Sequence, residues 1–198
     1  MEVQKTKPII EALLFATDSP LTIDKIRSIV NAVDAQQIAA TIEQLNDEYD
    51  HQRRSFHIVE VGGGYQFATH PQYAPWIKKL YRGRRLPRLS SAALETLAIV
   101  AFKGPLIRSE IEAVRGVNVE GVLKTLLERS LITVVGRQES PGRPLLYATT
   151  QEFLIYFGLN SISDLPKSKE LEELLGQDEN STEMKEVVTI TETLYASQ

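Results

Sequence analysis

The chain has 198 residues, 42% hydrophobic and 24% charged, with a net charge of −4; this fits one large or two small folded domains and excludes a low-complexity chain. It contains no cysteine, which excludes disulfides, thiol nucleophiles and thiolate metal sites and fits a reducing compartment. Charge is uneven: residues 1–80 sum to −2, residues 81–150 to +5 and residues 151–198 to −7, so a basic middle precedes an acidic tail.

No apolar run approaches the roughly 20 residues that span a bilayer. The opening MEVQKTKPII lacks a long apolar stretch followed by a small-residue cleavage site, which argues against a secretory signal. The expectation is a cytoplasmic protein with no membrane contact.

Residues 8–17, PIIEALLFAT, place Ile9, Ile10, Leu13 and Leu14 on one helical face, with Pro8 suited to the first turn. Thr22 caps a second helix with apolar positions Ile23, Ile26, Ile29 and Val30. A third helix carries Ile38, Ile42, Leu45 and Tyr49 at helical spacing. FHIVEV, the turn Gly62-Gly63-Gly64 and YQFAT then read as a β-hairpin. A short helix over 71–81 closes this first unit, and RGRRLPRLS follows as a basic, proline-marked linker.

Beyond the linker the order begins again. SSAALETLAIVAFKG predicts a helix capped by Ser90 or Ser91. A short helix with Ile107, Ile111 and Val114 ends at Gly116, and a third carries Val119, Leu123, Leu126 and Leu127. LITVV and LLYAT are strands joined by GRQESPGRP, and EFLIYF closes the second unit. Pro20, Leu21, Ile26 and Ile29 match Pro105, Leu106, Ile111 and Val114 at an offset of 85; Phe67, Ala68, Thr69 and Tyr73 match Tyr147, Ala148, Thr149 and Phe153 at an offset of 80. The chain is a divergent tandem repeat.

Three helices and a hairpin per unit make a winged helix. The predicted fold is therefore α+β, mainly α with small β-hairpins, in two tandem winged-helix domains. Their bounds are 1–81 and 91–166, with a basic linker at 82–90 and an acidic, largely disordered tail at 167–198.

Catalytic parts are missing. His51, His57 and His70 have no metal-ligand spacing. Gly62-Gly63-Gly64 joins two strands and lacks the Lys and Ser/Thr of a phosphate loop. Ser140 lies between Glu139 and Pro141, not between glycines. No enzyme activity, cofactor or metal is expected.

A winged helix reads DNA by laying its third helix in the major groove. In the first unit that helix has no lysine or arginine and carries Asp34, Glu43, Asp47, Glu48 and Asp50, which phosphates would repel. In the second, Lys124 and Arg129 are offset by Glu120 and Glu128. Basic charge gathers in Arg82, Arg84, Arg85 and Arg88 and in the hairpin arginines, so any DNA contact is weak and non-specific. In AALETLAIVAF only Glu95 and Thr96 are polar. A helix apolar all round is covered either by its own domain or by a partner.

LSSAALETLAIVAFKGPLIRSEIEAVRGV and GRQESPGRPLLYATTQEFLIYFGLNSISDLP, with LLFA, SPLT and GGGYQFAT upstream, resemble segregation and condensation protein B from about Pro8 to Pro166. One departure is Ile107, which stands where a capping Thr is expected; the helix then either loses a cap or starts two residues later, at Ser109. The resemblance implies a non-enzymatic subunit of the bacterial SMC condensin complex acting in chromosome condensation and segregation, nucleoid-associated in the cytoplasm. It implies a homodimer, formed chiefly through the N-terminal domain, that binds the kleisin subunit ScpA and reaches the SMC protein through it. The expected kleisin surface is the third helix and wing of the second unit: Glu120, Lys124, Arg129, Arg137 and Arg143. The competing reading is a DNA-binding transcriptional regulator.

Overall fold

The computed structural model describes residues 3–30, 33–81 and 88–166. The expectations for Arg82, Arg84, Arg85 and the tail fall outside these described residues. The chain divides into two compact units, Met1–Leu86 and Pro87–Gln198, each an α+β body with a small antiparallel sheet.

The first unit runs α1 (Val3–Ala16), α2 (Ile23–Ile29), α3 (Ala35–His51), β1 (Phe56–Val61), β2 (Gly64–Thr69), a 3₁₀ turn (Pro71–Tyr73) and α4 (Ala74–Leu80). Pro8 lies inside α1 and not in its first turn, a position where a proline has no N–H to give to the preceding turn and its ring crowds the carbonyl four residues back. Thr6, Ile10 and Leu14, four residues apart, form the buried stripe. Ile9 is about one hundred degrees round the helix and 45% exposed, correcting its place on the core face. Ile29 likewise faces outward while Ile26 is buried.

Caps fix the helix starts. The Thr22 hydroxyl accepts the Lys25 N–H at 3.2 Å, and Asp34 and Gln37 bond each other's backbone N–H groups reciprocally at 2.8 and 3.0 Å. Ile38, Ile42, Leu45 and Tyr49 of α3 are buried against Ile10, Leu14, Ile26 and Ile58. The hairpin turns on Gly62 and Gly63, both at positive φ, the primed turn that matches strand twist. Leu21 adds a bridge to the other side of β2, exchanging two backbone bonds with Tyr65 at 2.9 and 3.0 Å. That approach needs glycine at position 64, where a Cβ would lie 2.9 Å from the Leu21 carbonyl carbon.

The second unit runs α5 (Ser91–Lys103), β3 (Leu106–Ile107), α6 (Arg108–Arg115), α7 (Glu120–Glu128), β4 (Ile132–Arg137), β5 (Leu145–Thr149), α8 (Gln151–Phe157) and a 3₁₀ turn (Ile162–Asp164). Ser90 is the cap of α5, accepting the Ala93 N–H at 3.3 Å. Ala93, Leu97, Ile99 and Val100 of α5 are buried with Ile111, Leu123, Leu126, Ile132 and Phe153. The unit's own elements thus cover the apolar helix. Its two polar residues are satisfied: the buried Thr96 hydroxyl donates to the Ala92 carbonyl at 2.8 Å, and Glu95 pairs with Arg115.

The sheet has the order β3-β5-β4. Its third strand was not foreseen, because two residues are too few to show a period. α6 starts at Arg108 and not at Ser109, and the cap that a threonine would give is lost: Ile107 has no side-chain acceptor, and only the other half of a capping box remains, the Glu110 carboxylate accepting the Ile107 N–H at 2.9 Å. Val114 and Leu127 are exposed, although helical spacing had grouped them with core positions. After α3 and after α7 the chain passes through one residue of positive φ, Arg53 and Ser130. The next N–H then reaches back five residues, from Arg54 to Tyr49 and from Leu131 to Leu126.

Candidate partner-binding surfaces

On α7, Glu120 and Lys124 lie one turn apart and are both exposed. Neither is idle. Arg108 donates to Glu112 at 2.8 Å and to Glu120 at 2.9 Å, tying the start of α6 to the start of α7. Glu112 also accepts the Val119 N–H at 3.2 Å. The bond from Arg108, then that from Val119, holds the Glu112 carboxyl below its ordinary range. The same carboxylate raises the already high Arg108 value. Lys124 faces Glu128 at 3.9 Å, a loose exposed pair worth little. Arg129 is the C-cap of α7.

Arg137 ends β4, and its guanidinium donates to the Arg143 carbonyl at 2.9 Å. With the Gln138 N–H on the Pro144 carbonyl and the Arg143 N–H on the Ser140 carbonyl, both at 2.9 Å, this closes the loop 138–144. The Arg137 side chain therefore braces the hairpin tip, where Arg143 itself is exposed at positive φ. The five sequence-derived candidates fall into an α7 group, Glu120, Lys124 and Arg129, and a hairpin pair, Arg137 and Arg143. Sequence reasoning missed Arg108, although its i,i+4 spacing to Glu112 was a readable signal.

The first unit offers a more apolar surface. Phe15 is 84% exposed and, with Pro8, Ala12, Phe56 and Phe67, lines a cleft of about 490 Å³ between α1 and the hairpin. Phe56 and Phe67 in its lining pack with the buried Tyr49 ring, with centroids 5.1–6.0 Å apart. Trp76 and Leu80 on α4 are also largely exposed. Single exposed apolar side chains are ordinary, but an aromatic beside an apolar cleft marks an interaction surface. The outer face of α3 presents Glu43, Asp47 and Asp50, while Glu48 pairs with Lys7 and Asp34 is used as a cap.

The His57 and His70 rings lie with centroids 4.4 Å apart, tilted by 42°. Among the described residues no three of His, Asp and Glu group closely enough to hold a metal ion, and no described helix is long and apolar enough to cross a membrane. Arg88 is the one linker arginine within the described residues, and it is exposed.

The family model described as "Segregation and condensation complex subunit ScpB" matches residues 8–168. A segregation and condensation protein B of Syntrophotalea carbinolica is 44% identical over 180 residues, covering 91% of this chain and 90% of the relative. That of Desulforamulus reducens is 45% identical over 175 residues, covering 88% and 94%. Among solved structures, ScpB from Mycobacterium tuberculosis is 34% identical and matches 80% of this chain and 98% of its own, with a TM-score of 0.38, too low to carry an argument about shape.

Proposed function

Since the chain belongs to the segregation and condensation protein B family, we propose that it acts as a non-enzymatic adaptor of the SMC condensin complex. Each unit is a winged helix, with domains at 1–81 and 91–166 joined by the basic linker 82–90. The chain dimerises through its first unit and binds the kleisin ScpA mainly through its second, which links it indirectly to the SMC protein at the nucleoid.

The observation that carries this reading is the character of the exposed surface. The outer face of α3 is acidic, with Glu43, Asp47 and Asp50, and would be repelled by phosphates. The same unit carries Phe15 at 84% exposure and the cleft it borders between α1 and the hairpin, which suit a protein partner. In the second unit, α7 and the hairpin supply fixed backbone with Lys124 and Arg143 projecting, and exposed charges of this kind set partner choice more than raw affinity.

Size exclusion with light scattering tests it, run on the protein alone and mixed with ScpA. The expected result is a dimer that gains mass with ScpA. Lys124→Glu with Arg143→Glu is expected to weaken that binding by about tenfold, about 1.4 kcal/mol, without changing the dimer. A monomer that ignores ScpA and shifts duplex DNA at moderate salt would mean that the fold is used as a DNA-binding regulator.

A further inference from the structure

Asp and Glu make up 26 of the 198 residues, yet residues 61–94 contain neither. Lys78, Lys79, Arg82, Arg84, Arg85 and Arg88 fall within that stretch. A basic run free of carboxylates is the electrostatic footprint of an anionic partner.

In the first unit part of this run becomes a surface. Trp76, Leu80 and Tyr81 stand at 64%, 74% and 55% exposure, and Lys78 and Lys79 are exposed with them. Trp76, Lys79 and Leu80 are three and four positions apart on α4 and share one face, while Ile77 is half-buried. Tyr73, the residue before α4, lines a cleft of about 510 Å³ with Asp50, Arg53, Arg54, His70 and Gln72. Two guanidiniums against one carboxylate leave the cleft cationic. The Arg54 Nε donates to the Gln52 side-chain oxygen at 3.0 Å, which orients that guanidinium. Tyr73 and Trp76 are one turn apart, about 5 Å along the axis, so a short strand reaches both the cleft and the aromatic face. The carboxylates of α3, Glu43, Asp47 and Asp50, repel a polyanion and confine it to the α4 side.

Cations interleaved with exposed aromatic rings suit single-stranded nucleic acid, whose phosphates take the cations while an unpaired base stacks on a ring. Duplex DNA keeps its bases stacked inside and leaves Trp76 unused. A bilayer surface demands more apolar area than α4 has, since the helix is seven residues long and exposes two large apolar side chains, Trp76 and Leu80.

We propose that the first unit binds single-stranded nucleic acid without sequence preference. Trp76 stacks on a base, Lys78 and Lys79 hold the adjoining phosphates, and the Arg53–Arg54 cleft holds the next. The proposal is independent of the adaptor reading.

Trp76 is the single tryptophan, so its fluorescence reports the stacking directly. The full-length protein is titrated at low salt with oligo(dT) of about 12 nucleotides and, in parallel, with oligo(U) of the same length. Saturable quenching is expected, with an affinity that falls with salt at a log–log slope of about −2, as for three phosphates. Binding by either oligonucleotide supports the proposal, and the ratio of the two affinities assigns DNA or RNA as the ligand. By anisotropy of a labelled oligonucleotide, Trp76→Leu should bind about tenfold more weakly and Trp76→Phe, which keeps a ring, only about threefold. Lys78→Glu with Lys79→Glu should lower affinity at least tenfold and flatten the salt slope. No quenching by either oligonucleotide would overturn the proposal, as would equal quenching by a duplex of the same length. A Trp76→Leu variant that binds as tightly as the unsubstituted protein would overturn it too. Quenching by phosphatidylserine vesicles with none by the oligonucleotides would replace it with a membrane contact.

Discussion

The Tyr49 hydroxyl donates to the Glu11 carboxylate at 2.6 Å, joining the middle of α1 to the last turns of α3. Tyr49 is only 6% exposed, and its ring also packs on Phe56 and Phe67. Burial first, then the bond to Glu11, pushes the phenol well above its ordinary value.

Replacing Tyr49 with Phe keeps the ring packing and removes the bond, at an expected cost of about 1 kcal/mol near neutral pH. The sign of the pH dependence follows from the raised value. The folded state holds the phenolic proton more tightly, so the contribution is complete below the unfolded value of about 10 and declines as pH rises above it. Urea melts of both proteins should show their stability difference narrowing above about pH 10. A difference that widens there would contradict the assignment.

The Asn46 side chain donates to the Ile58 carbonyl at 2.9 Å and accepts the Ile58 N–H at 2.7 Å; Asn46→Ala removes both bonds and leaves the backbone of a buried residue without these partners. The expected loss is about 2 kcal/mol in the first unit. Chemical unfolding followed by the single tryptophan, Trp76, reports on that unit directly.

Glu95 and Arg115 form a partly buried pair with side-chain exposures of 20% and 16%, and the Arg115 Nε is buried without a partner. Glu95→Ala strands the guanidinium beside the core, and a loss of about 2–3 kcal/mol is expected. Glu95→Leu with Arg115→Met should recover most of it. A double variant as unstable as the single one would show that the pair itself, and not an orphaned charge, sets the cost.

Gly64→Ala would push a methyl group onto the Leu21 backbone, with Leu21 and Pro20 atoms at 2.9–3.0 Å. Loss of the Leu21–Tyr65 bridge and about 2 kcal/mol is expected. Hydrogen exchange at Leu21 and Tyr65 is the direct check: both amides should become fast while those of α3 stay slow.

Arg137→Ala should cost less than about 1 kcal/mol, because the side chain is exposed and donates one bond, yet it should mobilise the loop 138–144. Backbone relaxation measured by NMR would see lower order there and no change in α7.

The sequence by itself determined the order of the helices and of the two hairpins, the cap at Thr22, a cap at Ser90 or Ser91, and a glycine turn at 62–64. Each rests on residues within four positions of one another, and hydrogen-bond chemistry over that span is local. It also determined membership of the family, through motifs such as LETLAIVA and SPGRP. Only the tertiary structure decided which residues of an apolar stripe face inward. Ile9, Ile29 and Leu127 fit helical spacing as well as Ile10, Ile26 and Leu126 do, but a helix touches its neighbours along a narrower line than its apolar arc. Only the fold could place Arg108 against Glu120, Asn46 along β1 and Leu21 beside Tyr65. Those pairs are 12 to 44 residues apart in the chain, and no local propensity encodes which distant backbone group a side chain will meet.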